Sequence, residues 1–93
     1  MKYDFKPSFD RSVKSLAAVH KDEIKSACLA FIGSLDKQTQ LPGGLGLKHL
    51  HVDYWEIRMG LKIRVLFRWR HDLIEFILAG DHDAIKQFLR DYR

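Results

Sequence analysis

Between residues 62 and 70 the chain reads Lys62-Ile63-Arg64-Val65-Leu66-Phe67-Arg68-Trp69-Arg70, cations alternating with large apolar side chains. A period of two marks a strand with one face in a core. The pattern therefore predicts Ile63, Val65, Phe67 and Trp69 inward and Lys62, Arg64, Arg68 and Arg70 outward, with only Leu66 interrupting the charged face. Tyr54-Trp55-Glu56-Ile57-Arg58-Met59 has the same period, with Trp55, Ile57 and Met59 inward, and Gly60-Leu61 is short enough to turn it into the cationic strand as a hairpin. Tyr3-Asp4-Phe5-Lys6 also alternates and stops at Pro7, which cannot donate to a ladder. Leu73-Ile74-Glu75-Phe76-Ile77-Leu78-Ala79 is apolar nearly throughout, as befits a central strand covered on both faces.

Three other stretches carry helical spacing. Phe9, Val13, Leu16 and Ala17 form the first, with Ser8 or Asp10 as its cap, and His20-Lys21-Asp22 reads as the junction to a second helix capped by Asp22. Ile24, Ala27, Cys28, Phe31, Ile32 and Leu35 make an i, i+3, i+4 stripe, the strongest helical signal in the chain. Ile85, Phe88, Leu89 and Tyr92 mark a final helix that Asp81 or Asp83 could cap. Residues 37–51, with the breaker cluster Pro42-Gly43-Gly44, read as a surface loop. The expected fold is α+β: a small antiparallel-rich sheet with an N-terminal helical hairpin on one face and a short C-terminal helix, in the order βααβββα. Two helices on one face leave the opposite, cationic face open, and that face is the expected site.

Ninety-three residues suit one domain, expected to span residues 1–93. The longest uncharged runs, such as 26–35, are ten residues, short of the roughly 20 a membrane-spanning helix needs. The N-terminus shows no apolar run with a small-residue cleavage site, so a cytoplasmic location is expected. Cys28 is alone, and the five histidines have no metal-ligand spacing, so neither disulfide nor metal nor cofactor is expected. The net charge of +4 is moderate, but residues 48–70 alone hold six cations against Asp53 and Glu56, which equals all of it. Four cations on one sheet face repel one another, and an anionic partner, a nucleic acid, is their simplest explanation.

The element order and several landmarks resemble the RelE/ParE superfamily of bacterial toxins. The landmarks are Tyr3-Asp4-Phe5 with Phe9 leading into the helical hairpin, Gly46-Leu47-Lys48-His49-Leu50, Trp55-Glu56-Ile57-Arg58 followed by Lys62-Ile63-Arg64-Val65-Leu66-Phe67, and Gly80-Asp81-His82-Asp83. The last is similar to the Gly-x-His segment of the YafQ-like and YoeB-like branches. That resemblance implies a toxin of a type II toxin-antitoxin system, a metal-independent endoribonuclease that cleaves messenger RNA on the ribosome. It implies as partners a cognate antitoxin, mRNA and the ribosome, and no membrane. In such chemistry the RNA 2′-hydroxyl attacks the adjacent phosphate, which needs a base, cations for the phosphorane charge and an acid for the leaving 5′ oxygen.

Carried over residue by residue, the resemblance makes Arg64, His82, Arg58, Lys48 and Glu56 the candidate catalytic residues. Arg64 presents a planar donor fork to the scissile phosphate, and Arg58 cooperates with it or pairs with an acid. His82 suits acid or base work near neutral pH, or sits in a helix cap. Lys48 is a phosphate holder or, if desolvated, a proton carrier; Glu56 is a base or the structural partner of the cations. Lys62, Arg68, Arg70, His49 and His51 are the candidate RNA-binding residues. Two departures stand out. Many ribonuclease members carry an arginine near the end of the last strand, where this chain has Ile77, Leu78 and Ala79, and an aromatic soon after the histidine, where it has Asp83, Ala84 and Ile85. A ParE-like gyrase inhibitor and a catalytically silent RNA- or antitoxin-binding module remain alternatives.

Overall fold

A computed structural model describes residues 1–60 and 62–92, without the side chain of Tyr92, so the Gly60-Leu61 turn and the Tyr92 contact fall partly outside the described residues. The order is β1 (Lys2–Phe5), α1 (Pro7–Lys14), α2 (Ala18–Lys37), β2 (Leu45–His51), β3 (Tyr54–Met59), β4 (Ile63–Arg70), β5 (Leu73–Gly80) and α3 (His82–Tyr92). The strands form one sheet in the order β1-β5-β4-β3-β2, parallel between β1 and β5 and antiparallel elsewhere. The α+β class, the antiparallel-rich sheet, the helical hairpin and the C-terminal helix are those expected.

The strand β2 occupies part of the expected loop, pairing along β3 from Leu45↔Met59 to His51↔Tyr54. It is an edge strand whose residues are mostly exposed, so no hydrophobic period betrays it. Its order comes from the backbone ladder, with side-chain packing only from Leu45, His49 and Leu50. The helix boundaries also shift. Pro7 opens α1 instead of merely ending the strand, as suits a residue whose missing N–H is one of the orphans of a helix start. Ser8 Oγ does not cap but donates to Ile77 O at 2.6 Å, tying α1 to β5. The second helix begins at Ala18, before Asp22, with no side-chain cap; His20 and Lys21 bond back to Ala17 O and continue the helix through the expected junction.

The hairpin face carries the larger core. Phe9, Ile24, Ala27, Cys28 and Phe31 from the helices meet Ile57, Ile63, Val65, Phe67, Ile74 and Phe76 from the sheet. A cross-strand row runs His49, Trp55, Phe67, Phe76, Phe5 across all the strands. Rings meet at His49–Trp55, Phe67–Phe76 and Phe5–Phe76, the last stacked at 4.6 Å, and Trp69 bridges Trp55 and Phe67. Burial in this core pushes the Cys28 thiol up to about 12, so it stays a neutral apolar filler.

The opposite face is not open as expected. A bulge in β5 between Phe76↔Phe67 and Leu78↔Leu66 sends Ile77 and Leu78 to that side, where with Leu66, Leu50 and Tyr54 they form a second core under Ile85, Phe88 and Leu89 of α3. Leu66, the lone interruption of the cationic stripe, is thus the anchor for α3. Gly80 lets the helix start close to the sheet, since a Cβ there would sit 2.9 Å from the Ala84 Cβ.

Nor do the strand cations face one another uncompensated. Glu75 is only 4% exposed, stands opposite Arg68 in the ladder, and takes Arg68 at 2.8 Å, Lys6 at 3.0 Å and Arg70 at 3.6 Å. Burial alone would raise its carboxyl pKa, but the hydrogen bonds from Lys6 and Arg68 outweigh it and hold the group below its ordinary 4.5. A value lower in the folded than in the unfolded chain means stability present above about pH 4.5 and lost as pH falls through the depressed value. We expect Glu75→Gln to flatten the acid limb of a urea-unfolding stability profile between roughly pH 5 and pH 2, where wild type declines. An unchanged acid limb would show that the Glu75 cluster contributes nothing there.

Candidate functional site

Strand register decides which polar side chains meet. Arg58 of β3 stands directly opposite Arg64 of β4, with Gly46 of β2 and Gly80 of β5 completing the row. The next row on the same face is Lys48, Glu56, Leu66, Leu78. Like charges opposite each other are unfavourable, and the remedy lies one row away. Glu56, 2% exposed, accepts on one oxygen, Oε1, from Arg58 Nε and from Arg64 Nη1, both at 2.9 Å. Each bond uses one guanidinium nitrogen, so each arginine keeps further N–H donors. The Arg64 side chain is 17% exposed and that of Arg58 42%.

A cleft of about 240 Å³ opens beside this pair, between β2 and α3. Lys48 and Leu50 form its β2 wall, Glu56 and Arg58 its β3 floor. Its α3 wall consists of His82, Ile85, Lys86 and Leu89, a face repeated at helical spacing. His82 also lines a second, adjoining cleft of about 350 Å³ with Lys62, Asp81 and Asp83. The start of α3 is capped by Asp81, whose Oδ1 accepts from Ala84 N at 2.8 Å. His82 is therefore the first helical residue and not the cap, and it stands exposed between the two clefts.

The fold thus brings together Lys48, Glu56, Arg58 and His82, with Arg64 joined through Glu56 and Lys62 next door. It does not bring the other candidates to that cleft. Arg68 and Arg70 lie farther along β4 and are engaged by Glu75. His49 pairs across the ladder with Trp55, the two rings tilted against each other with centroids 4.8 Å apart on the hairpin side, while its Nε2 donates to Val52 O at 2.7 Å. His51 is exposed at the end of β2, beyond a register shift. Lys86 was not among the sequence candidates; the signal that could have found it is its place four residues after His82, on the same helix face.

Among the described residues no cluster of three or more His, Cys, Asp or Glu could hold a metal, and no helix is long and apolar enough to cross a membrane. A larger groove of about 510 Å³, between α2 and residues 42–45 and 59–60, has Asp22 and Glu23 as its charged residues and no cation, which suits it poorly to phosphate chemistry.

No family model matches the chain, and neither does any curated protein. Solved structures do match. A metal-bound toxin from Helicobacter pylori superposes with a TM-score of 0.71 at 14% identity, covering 91% of this chain and 98% of that one. The RelB-RelE antitoxin-toxin complex of Methanococcus jannaschii contains a chain that matches at TM-score 0.67 and 20% identity, covering 91% and 96%. YafQ from E. coli strain BL21(DE3) matches at 0.66 and 16%, covering 90% and 96%. The chain has the RelE/YafQ toxin fold. In this version of the RelE/YafQ fold, the paired strand arginines are locked to a buried glutamate beside a cleft walled by α3.

The anchoring carries an energetic consequence. Removing the carboxylate deletes two charge-assisted hydrogen bonds and leaves Arg58 facing Arg64 across the ladder. Discounted for the exposure of Arg58, Glu56→Ala should destabilise the fold by about 2 kcal/mol in urea unfolding. Adding Arg58→Ala should recover part of that loss, and high salt should shrink it. Strict additivity of the two substitutions would count against the shared-oxygen anchor.

Proposed function

We propose that the protein is a toxin of a toxin-antitoxin system that cleaves messenger RNA without a metal, by attack of the 2′-hydroxyl on the neighbouring phosphate. The observation that carries this reading is the convergence of Lys48, Arg58 and His82, from three different elements, on one cleft whose floor residue Glu56 also binds Arg64. The toxin fold of the structural neighbours supports it, and the RelB-RelE complex among them supports a cognate antitoxin as partner. The ribosome as the place of cleavage belongs to the same reading.

The chemistry assigns one task to each group. Arg64 and Arg58 stabilise the charge that grows on the non-bridging oxygens of the phosphorane, a task for preorganised cationic donors that need not move during reaction. Glu56 preorganises them. In this reading Glu56, whose Oε1 accepts from both arginines, is a positioning residue. The 2′ proton leaves to solvent in the open cleft. His82, exposed at the junction of the two clefts, delivers a proton to the departing 5′ oxygen, and Lys48 and Lys62 hold phosphates on either side of the scissile one. The strand β5 supplies no arginine to this site, since the row that contains Arg64 ends at Gly80.

Induced expression followed by mapping of mRNA 5′ ends tests the proposal. Wild type should arrest growth and generate new 5′ ends, and His82→Ala and Arg64→Ala should each reduce cleavage by about 10²–10⁴ while remaining folded. Growth arrest with broken or relaxed DNA and no new RNA ends would replace the ribonuclease reading with gyrase inhibition. Absence of both arrest and RNA cleavage would leave a silent binding module.

A further inference from the structure

The cations of this face fall into two groups. Arg58 and Arg64 are neutralised in part by Glu56, and Arg68, Arg70 and Lys6 by Glu75. Lys48, Lys62 and Lys86 form no ion pair with any acid among the described residues, and they sit on β2, before β4 and on α3 respectively. Positive charge therefore exceeds negative in the first cleft, where Lys48, Arg58 and Lys86 face Glu56, while Asp81 and Asp83 flank Lys62 in the second; along the outer end of β4 the cations are paired, the reverse of what the strand pattern suggests. Lys48 and Lys86 project from opposite walls of the same cleft, with Arg58 in its floor. Lys62 shares the adjoining cleft with His82, which lines both. One phosphate cannot meet cations spread over two clefts. Successive phosphates of one extended strand can.

We infer that Lys86 is a strand-holding residue: with Lys48 and Lys62 it supplies the salt-dependent part of the affinity for single-stranded RNA, while Arg68 and Arg70 contribute little. This rests on the proposed RNA-directed function of the same cleft. An ammonium on a flexible stem suits the task, because it follows a phosphate as a point charge without demanding the fixed fork geometry of a guanidinium. A single-stranded partner displaces condensed counterions when each phosphate is neutralised, so each such lysine steepens log affinity against log salt by about 0.7.

The test is binding of a fluorescent 2′-O-methyl RNA oligonucleotide, which cannot be cleaved by 2′-hydroxyl attack, across a series of salt concentrations. Lys86→Gln should lower the slope by about 0.7 and weaken binding several-fold at low salt, and Lys86→Arg should restore the slope. Arg70→Gln and Lys25→Gln, the latter on α2 away from the cleft, should leave it unchanged. A Lys86→Gln slope equal to that of Lys25→Gln, or a large drop for Arg70→Gln alone, overturns the inference. Lys86-dependent binding by a wild type that generates no mRNA ends would sink the ribonuclease reading and leave Lys86 standing; cleavage by wild type with an unaltered Lys86→Gln slope would do the opposite.

Discussion

A single carboxylate oxygen holds the basic end of this sheet together. The register that buries Ile57 against Val65 also places Arg58 opposite Arg64, so a favourable core pairing on one face imposes a like-charge pairing on the other. Glu56 resolves the conflict from the adjacent row, accepting from both guanidinium groups while itself shielded from solvent. Such an arrangement costs desolvation, which is recovered only because both partners donate with short geometry. Glu75 repeats the solution farther along the sheet with Lys6, Arg68 and Arg70. Arginines fixed in this way lose little freedom when an anion arrives, which is the sense in which the face is preorganised.

The cleft exists because this face is only half exposed. The bulge at Ile77 gives β5 apolar residues on both sides, and α3 settles on Leu66, Ile77 and Leu50. With the helix seated there, His82 and Lys86 become the wall opposite Lys48. A stripe of cations on a flat sheet would bind polyanions loosely and without direction; under the proposed function, a walled trough with a histidine at one end would give a bound strand a path and a place for proton transfer. The hydrophobic satellite core and the chemistry are thus parts of one construction, since loss of the helix seat would remove half of the site.

Much of this was legible in the residues. Ile63, Val65, Phe67 and Trp69 announce their strand because they alternate against cations, and Ile24, Ala27, Cys28 and Phe31 announce their helix because each falls on one buried stripe. The strand β2 is silent because exposed Gly46, Leu47, Lys48 and His49 obey no burial period. The start of α2 at Ala18 leaves no mark in the residues because no side chain caps it. At the site, Arg64, Arg58, Lys48 and His82 follow from the toxin resemblance, but the role of Glu56 as joint anchor depends on cross-strand register, and Lys86 on where α3 lands. Both are tertiary facts. The pairing of the stripe's charge is hidden for the same reason: Glu75 sits in an apolar run, and nothing in that run reveals that it reaches Arg68.

The most direct measurement is a crystal structure of the protein with a 2′-O-methyl RNA strand. The account predicts one phosphate on Arg58 and Arg64 with both still bonded to Glu56, and the strand continuing between Lys48 and the His82–Lys86 face of α3. RNA seated over Arg68 and Arg70, or on the hairpin side beside His49 and Trp55, would contradict it.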